Sequence, residues 1–106
     1  MTVRYIVRWT TSAEADAATI VEYFNEPINA EKGIVQFGEQ ADSLQTLPER
    51  GRVVPELRKI GLLQYLETFH KPWRMIYKIH GREVWIMAVL DGRRDLADLL
   101  FERLAR

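Results

Sequence analysis

Val84-Trp85-Ile86-Met87-Ala88-Val89-Leu90 runs directly into Asp91-Gly92-Arg93-Arg94-Asp95-Leu96, and the change of character at Gly92 decides the fold class. Seven residues, nearly all apolar, predict a strand covered on both faces at the centre of a sheet. Glycine permits a sharp exit from that sheet. Asp95 is placed to cap a following helix, which carries Leu96, Leu99, Leu100 and Leu104 at helical spacing. Arg93 and Arg94 leave the sheet at this corner with little room to fold back.

Upstream, Trp73 to Ile79 predicts a second strand, and Gly81 places a tight turn between the two, so they form an antiparallel hairpin. In that hairpin Arg74 lies close to Leu90. Leu63 to Phe69 predicts another strand, and Arg52 to Val54 a short one closed by Pro55. Everything after Pro48–Gly51 reads as sheet until the final helix. Before it, Val3, Tyr5, Val7 and Trp9 alternate with Arg4, Ile6 and Arg8, the period of a strand. Thr11 and Glu14 form a candidate capping box opening a helix whose face is Ala13, Ala17, Ile20, Val21 and Phe24. Pro27 ends it. Asn29 caps a second helix with Ile34, Phe37, Ala41 and Leu44 on one side, weakened by Gly33 and Gly38 by up to about 1 kcal/mol each. The expected order is β-α-α-β-β-β-β-α. That is an α+β fold, with an N-terminal strand, a helical hairpin, a curved, mainly antiparallel sheet and a C-terminal helix, all in one domain over 1–106.

Composition excludes several classes. The 106 residues contain no cysteine, so no disulfide framework or thiolate metal site is available. No apolar run approaches the roughly 20 residues that span a bilayer, and the first residues lack a secretory signal pattern. A soluble, cytoplasmic protein with no membrane association is expected. Net charge is zero, but residues 1–49 carry −5 and residues 50–106 carry +5. A molecule with an acidic and a basic side follows if the halves map to faces.

Few residues suggest conventional catalysis. His70 and His80 have no metal-ligand spacing and read as surface histidines. No nucleophile elbow and no phosphate-cradling glycine loop is present. Asp91, Asp95 and Asp98 are interrupted by Arg93 and Arg94, which oppose a divalent cation, so neither a metal nor a cofactor is expected. The candidate site is instead a cluster of guanidiniums. Arg74, Arg93 and Arg94 converge at one sheet edge, suited to carboxylates or phosphates in bidentate geometry. Internal pairing of Arg74 with Asp91 or Asp95 is the competing reading. Trp73, Trp85 and Tyr77 offer rings for stacking, but aromatic residues on strands more commonly serve the core. Tyr77 alone lies near enough to the patch to count as a contact.

Gly51-Arg52-Val53-Val54-Pro55-Glu56-Leu57, Pro72-Trp73-Arg74-Met75-Ile76-Tyr77 and Ala88-Val89-Leu90-Asp91-Gly92-Arg93-Arg94-Asp95 resemble, in order and spacing, successive blocks of the RelE/ParE toxin superfamily. They are closer to its ParE, or plasmid-stabilisation, branch. The resemblance implies a microbial RNase-like α+β fold, a cognate antitoxin and a growth-inhibiting toxin. Its target is then DNA gyrase in the ParE manner, or the ribosome and messenger RNA in the RelE manner. Arg74 and Arg94 match the two RelE arginines and would be the catalytic residues of a ribonuclease. The RelE lysine pair falls near Tyr65 and Glu67, and the RelE tyrosine near Leu100, so that catalytic set is incomplete. RNA cleavage needs groups that take and give a proton, which a permanently charged arginine does poorly. Neutral overall charge also suits an RNA-rich site poorly. A gyrase-binding inhibitor is therefore expected, contacting its target through Arg74, Tyr77, Arg93 and Arg94. A ribosome-dependent messenger-RNA endonuclease is the alternative, and a degenerate member that binds only its antitoxin a third reading.

Overall fold

A computed structural model of the chain describes residues 3–23, 37–70, 73–92, 97 and 103, the side chains of 21–23 and 70 excepted. Strand β1 (Ile6–Trp9) leads into helix α1 (Thr11–Tyr23). The described part of a second helix, α2, covers 37–43. Then come β2 (Arg52–Val53), a single helical turn α3 (Pro55–Arg58), β3 (Tyr65–His70), β4 (Trp73–His80) and β5 (Glu83–Asp91). The strands form one sheet in the order β1-β5-β4-β3-β2. Only the β1–β5 pairing is parallel.

The expected hairpin is present. β4 and β5 pair antiparallel, Arg74 lies opposite Leu90, and Gly81 takes φ +61° in the turn, a conformation that costs glycine little. β5 lies inside the sheet, and its apolar character on both faces has a specific origin. Tyr77 faces Ile86 while Ile76 faces Ala88, so Met87 is an extra residue in β5. This bulge reverses which side chains face which layer. Val84, Ile86 and then Val89 pack under the helices with Ala13, Ile20, Phe37, Ala41 and Leu44. Ala88 packs on the opposite face with Val54, Leu57, Tyr65 and Ile76. Each face thus has its own core.

Two local expectations are corrected. The cap of α1 is Thr10 rather than Thr11. The Thr10 hydroxyl accepts the Ala13 N–H at 3.1 Å, and the Thr10 carbonyl accepts that of Glu14 at 3.0 Å. The same hydroxyl donates to the carbonyl of the bulge residue Met87, tying the β1–α1 corner to β5. The second correction is that the stretch after Gly51 is not all sheet. Pro55 sits at the start of α3, where its missing N–H is harmless, and the turn inserts Leu57 into the second core. Residues 97 and 103 are helical, as a C-terminal helix requires. Asp95, Leu96, Leu99, Leu100 and Leu104 lie outside the described residues, as do Pro27, Asn29 and Ile34. Among the described residues no helix is long and apolar enough to cross a membrane.

Among the described residues the two sides of the sheet differ in charge, although not along the division between the two halves of the sequence. The sequence of α1 and of 37–46 contains no lysine or arginine, and these helices carry Glu14, Asp16, Glu39 and Asp42. The opposite side of the sheet presents Arg8, Arg52, Arg58, Lys59 and Lys78 together with Glu56, Glu67 and Glu83.

Candidate functional site

Strand alternation places Arg74 on the face away from α1 and α2, because its neighbour Met75 packs under the helices. Glu67, opposite Ile76, and Phe69, opposite Arg74, share that face. Arg52 lies opposite Glu67 from the edge strand β2. The short α3 then brings Glu56 over the same spot. Four charged side chains from four elements meet in alternating order.

Their contacts are direct. Arg74 donates from Nε to Glu67 Oε2 at 2.6 Å, from Nη1 to Glu56 Oε2 at 2.6 Å and from Nη2 to Glu56 Oε1 at 2.9 Å. Arg52 donates from Nε to Glu67 Oε1 at 2.7 Å, and its guanidinium lies 5.9 Å from the Phe69 ring centre. The Glu67 side chain is completely buried and that of Arg74 nearly so, whereas Arg52 is mostly exposed. A buried carboxylate is tolerated here because two guanidiniums hold both of its oxygens. The Arg74 hydrogen bonds hold the Glu56 carboxyl below the usual carboxylate range, against the opposing effect of burial. The Glu56 hydrogen bonds, more than those of Glu67, raise the pKa of Arg74 further.

The expectation of an exposed guanidinium at position 74 is therefore corrected. Arg74 is 5% exposed and paired internally, as the competing reading held, with Glu56 and Glu67 as partners; Asp95 lies outside the described residues. Tyr77, expected at the edge of a contact surface, is wholly buried in the helix-side core. Its hydroxyl donates to the Pro48 carbonyl at 2.7 Å and accepts the Gly51 N–H at 3.0 Å. Burial pushes its pKa up. Gly51 is required there, since a Cβ would lie 2.5 Å from the Glu67 carbonyl oxygen and 2.6 Å from the Tyr77 hydroxyl. Arg93 and Arg94 lie outside the described residues, so Arg74 and Tyr77 are the only predicted members whose placement is described. Trp73 packs partly against the helix-side core, and His80 is exposed. Among the described residues no group of three or more His, Asp or Glu side chains could hold a metal ion.

Glu56 and Glu67 escaped sequence reasoning as partners of Arg74. The signal for Glu67 was its register in a β3–β4 hairpin, two positions along the strand from the residue facing Arg74. Glu56 gave none, because α3 is a single turn without periodicity. Chemically, the cluster is neutral and self-satisfied. A phosphate approaching Arg74 would have to displace a carboxylate already bound in bidentate geometry.

Comparison with known proteins gives a consistent picture. A family model described as the ParE toxin of the type II toxin–antitoxin system parDE matches residues 7–96. Over 55 residues the chain is 40% identical to Toxin ParE3 of Caulobacter vibrioides, a match covering 51% of this chain and 50% of that protein. The match thus spans half the length of that curated relative. Among solved structures, the chain resembles one from the chromosomal ParDE system of P. aeruginosa, with a TM-score of 0.63 and 20% identity over 83% of this chain and 96% of that one. It also resembles a chain of the toxin–antitoxin complex RelBE2 of Mycobacterium tuberculosis, with a TM-score of 0.58 and 24% identity over 86% and 94% of the two chains. At these identities the structural likeness is one of fold.

Proposed function

The chain belongs to the ParE toxin family of type II toxin–antitoxin systems, and from that premise we propose that it arrests growth by binding DNA gyrase and is neutralised by a cognate antitoxin. It acts as one domain in the cytoplasm and has no catalytic step of its own. The observation that carries this reading is the state of Arg74. This residue matches a RelE catalytic arginine, yet Glu67 and Glu56 occupy its guanidinium on both sides. A cation that stabilises a phosphorane must face the phosphate unneutralised. Glu67, moreover, stands near the place of a RelE lysine, so a cation of that site is replaced by an anion. The match to ParE3, and the toxin–antitoxin systems to which the structural neighbours belong, support the toxin role and an antitoxin partner.

Supercoiling of relaxed plasmid by purified gyrase tests the proposal. Added chain should inhibit the reaction in a dose-dependent manner, and antitoxin should restore it. Unchanged supercoiling at saturating chain would reject gyrase as the target. Codon-phased cuts in messenger RNA after induction would reinstate the ribosomal reading.

A further inference from the structure

Among the described residues, the face that carries the Arg74 cluster is only partly covered. Val54 and Leu57 lie over Ile76 and Ala88, but β1, β5 and β4 continue past them toward the Gly81 turn. There the registers align two rows across three strands. Arg8, Trp85 and Lys78 form one row, and Ile6, Glu83 and His80 the other. All six point away from the helices, since Val7, Ile79, Val84 and Ile86 between them point toward the helix-side core.

We infer that this open platform, centred on Trp85 between Arg8 and Lys78, is the surface by which the chain grips an acidic surface of its protein target. The inference deepens the gyrase-binding reading and rests on it. Trp85 is preorganised. Its indole Nε1 donates to Glu83 Oε2 at 2.8 Å, Arg8 Nε lies 3.2 Å from the same oxygen, and the Arg8 guanidinium stands 5.9 Å from the ring centre. Tryptophan and arginine held in place before binding lose little freedom in the complex, the condition under which they dominate an interface. Ile6, 54% exposed beside them, supplies an apolar anchor. Lys78, with exposed Arg4 and Arg82 near the Gly81 turn, has no ion-pair partner among the described residues, so this end of the sheet carries surplus positive charge. That surplus selects an acidic partner.

Two other occupants fit less well. A nucleic acid would use the tryptophan for stacking, but the Arg8 guanidinium already stands over that ring. A second copy could offer its acidic helices, but that contact joins unlike faces and would give a ring or an open polymer of the chain rather than a complex with a target.

The test uses the full chain and gyrase holoenzyme, with binding measured at low and high ionic strength. Wild type should bind, and more weakly as salt rises. Arg8→Glu with Lys78→Glu should weaken binding by about tenfold or more and abolish growth arrest on induction. Arg58→Glu with Lys59→Glu, an equal charge change on and beside α3, should leave both within about twofold of wild type. Lys78→Glu alone, which breaks no described ion pair, serves if the double variant does not fold. Equal weakening by both double variants, or none by the first, overturns the inference. So does displacement of gyrase by a single-stranded oligonucleotide bound at the platform, or self-assembly of the chain abolished by the Arg8/Lys78 changes. If wild type does not bind gyrase, the gyrase reading falls, and growth arrest alone decides. Arrest lost only in the Arg8/Lys78 variant then supports the platform, and arrest retained there overturns it. A wild-type chain that neither binds gyrase nor arrests growth overturns both.

Discussion

Replacing Arg74 by alanine removes the centre of the four-charge cluster. Glu67, with a side chain 0% exposed, would keep only Arg52 as a partner, and the Arg52 side chain is 63% exposed. Glu56 would lose both of its hydrogen bonds from Arg74. Breaking a buried ion pair by deleting one partner costs about 3–5 kcal/mol, because the surviving charge has no water to return to. A domain of this size is stable by about 5–15 kcal/mol, so Arg74→Ala should remove roughly a fifth of that margin at the least. At about 4–8 °C per kcal/mol for a domain near 100 residues, the melting temperature should fall by at least roughly 12 °C. Arg52→Ala, at the solvent end of the same chain of charges, should cost only about 1 kcal/mol or less.

Urea unfolding followed by circular dichroism measures each change. The informative comparison adds Arg74→Met together with Glu67→Leu and Glu56→Gln. Replacing the whole buried set with apolar and neutral groups removes the desolvation penalty along with the attraction, and should recover most of the lost stability. A loss below about 1 kcal/mol in Arg74→Ala, or one no larger than that of Arg52→Ala, would refute the view that the cluster is a buried, mutually dependent unit. If the triple variant folds and inhibits gyrase as wild type does, Arg74 serves the fold and not the target.

Three further outcomes are expected. Gly51→Ala should cost about 1–3 kcal/mol by thermal unfolding, since the new Cβ collides with the Glu67 carbonyl and the Tyr77 hydroxyl. Stability should fall as pH drops below the carboxylate range: the folded-state pKa of Glu56 is depressed, so its contribution is present above its unfolded value and is lost as the pH falls through the folded one. Glu56→Gln should flatten that part of the urea-midpoint profile. Asp16 binds Arg103 through both of its oxygens and accepts the Val89 N–H at 3.1 Å, just past the β5 bulge. Asp16→Ala should therefore cost more than Asp16→Asn, by about 1–3 kcal/mol, because only alanine leaves that amide without an acceptor. Faster hydrogen exchange at Val89 is the check.

The hairpin of β4 and β5 is legible because its determinants are local: two apolar runs, a glycine turn, and a register counted outward from Gly81. Phe37 and Ala41 of α2, and Leu44 just past its described end, are buried together for the same reason, a period visible within ten residues. The parallel pairing of β1 with β5 joins segments more than seventy residues apart, and no local pattern encodes such a partner. The site divides along the same line. Counting from Gly81 sets Arg74 close to Leu90, and the Met87 bulge brings the two directly opposite, but the strand position does not say whether its guanidinium reaches solvent. That depends on Glu56, carried by a single helical turn, and on Glu67, whose strand has an ambiguous inward face in sequence. Matching Arg74 to a family position locates a side chain without locating its charge. A guanidinium neutralised by two carboxylates presents almost no field to a ligand, whatever its ancestry. Among the described residues, the cations on this face that no ion pair neutralises are Lys78, next to Trp85, and Arg58 and Lys59 at α3, and the Arg58/Lys59 variant separates the two groups.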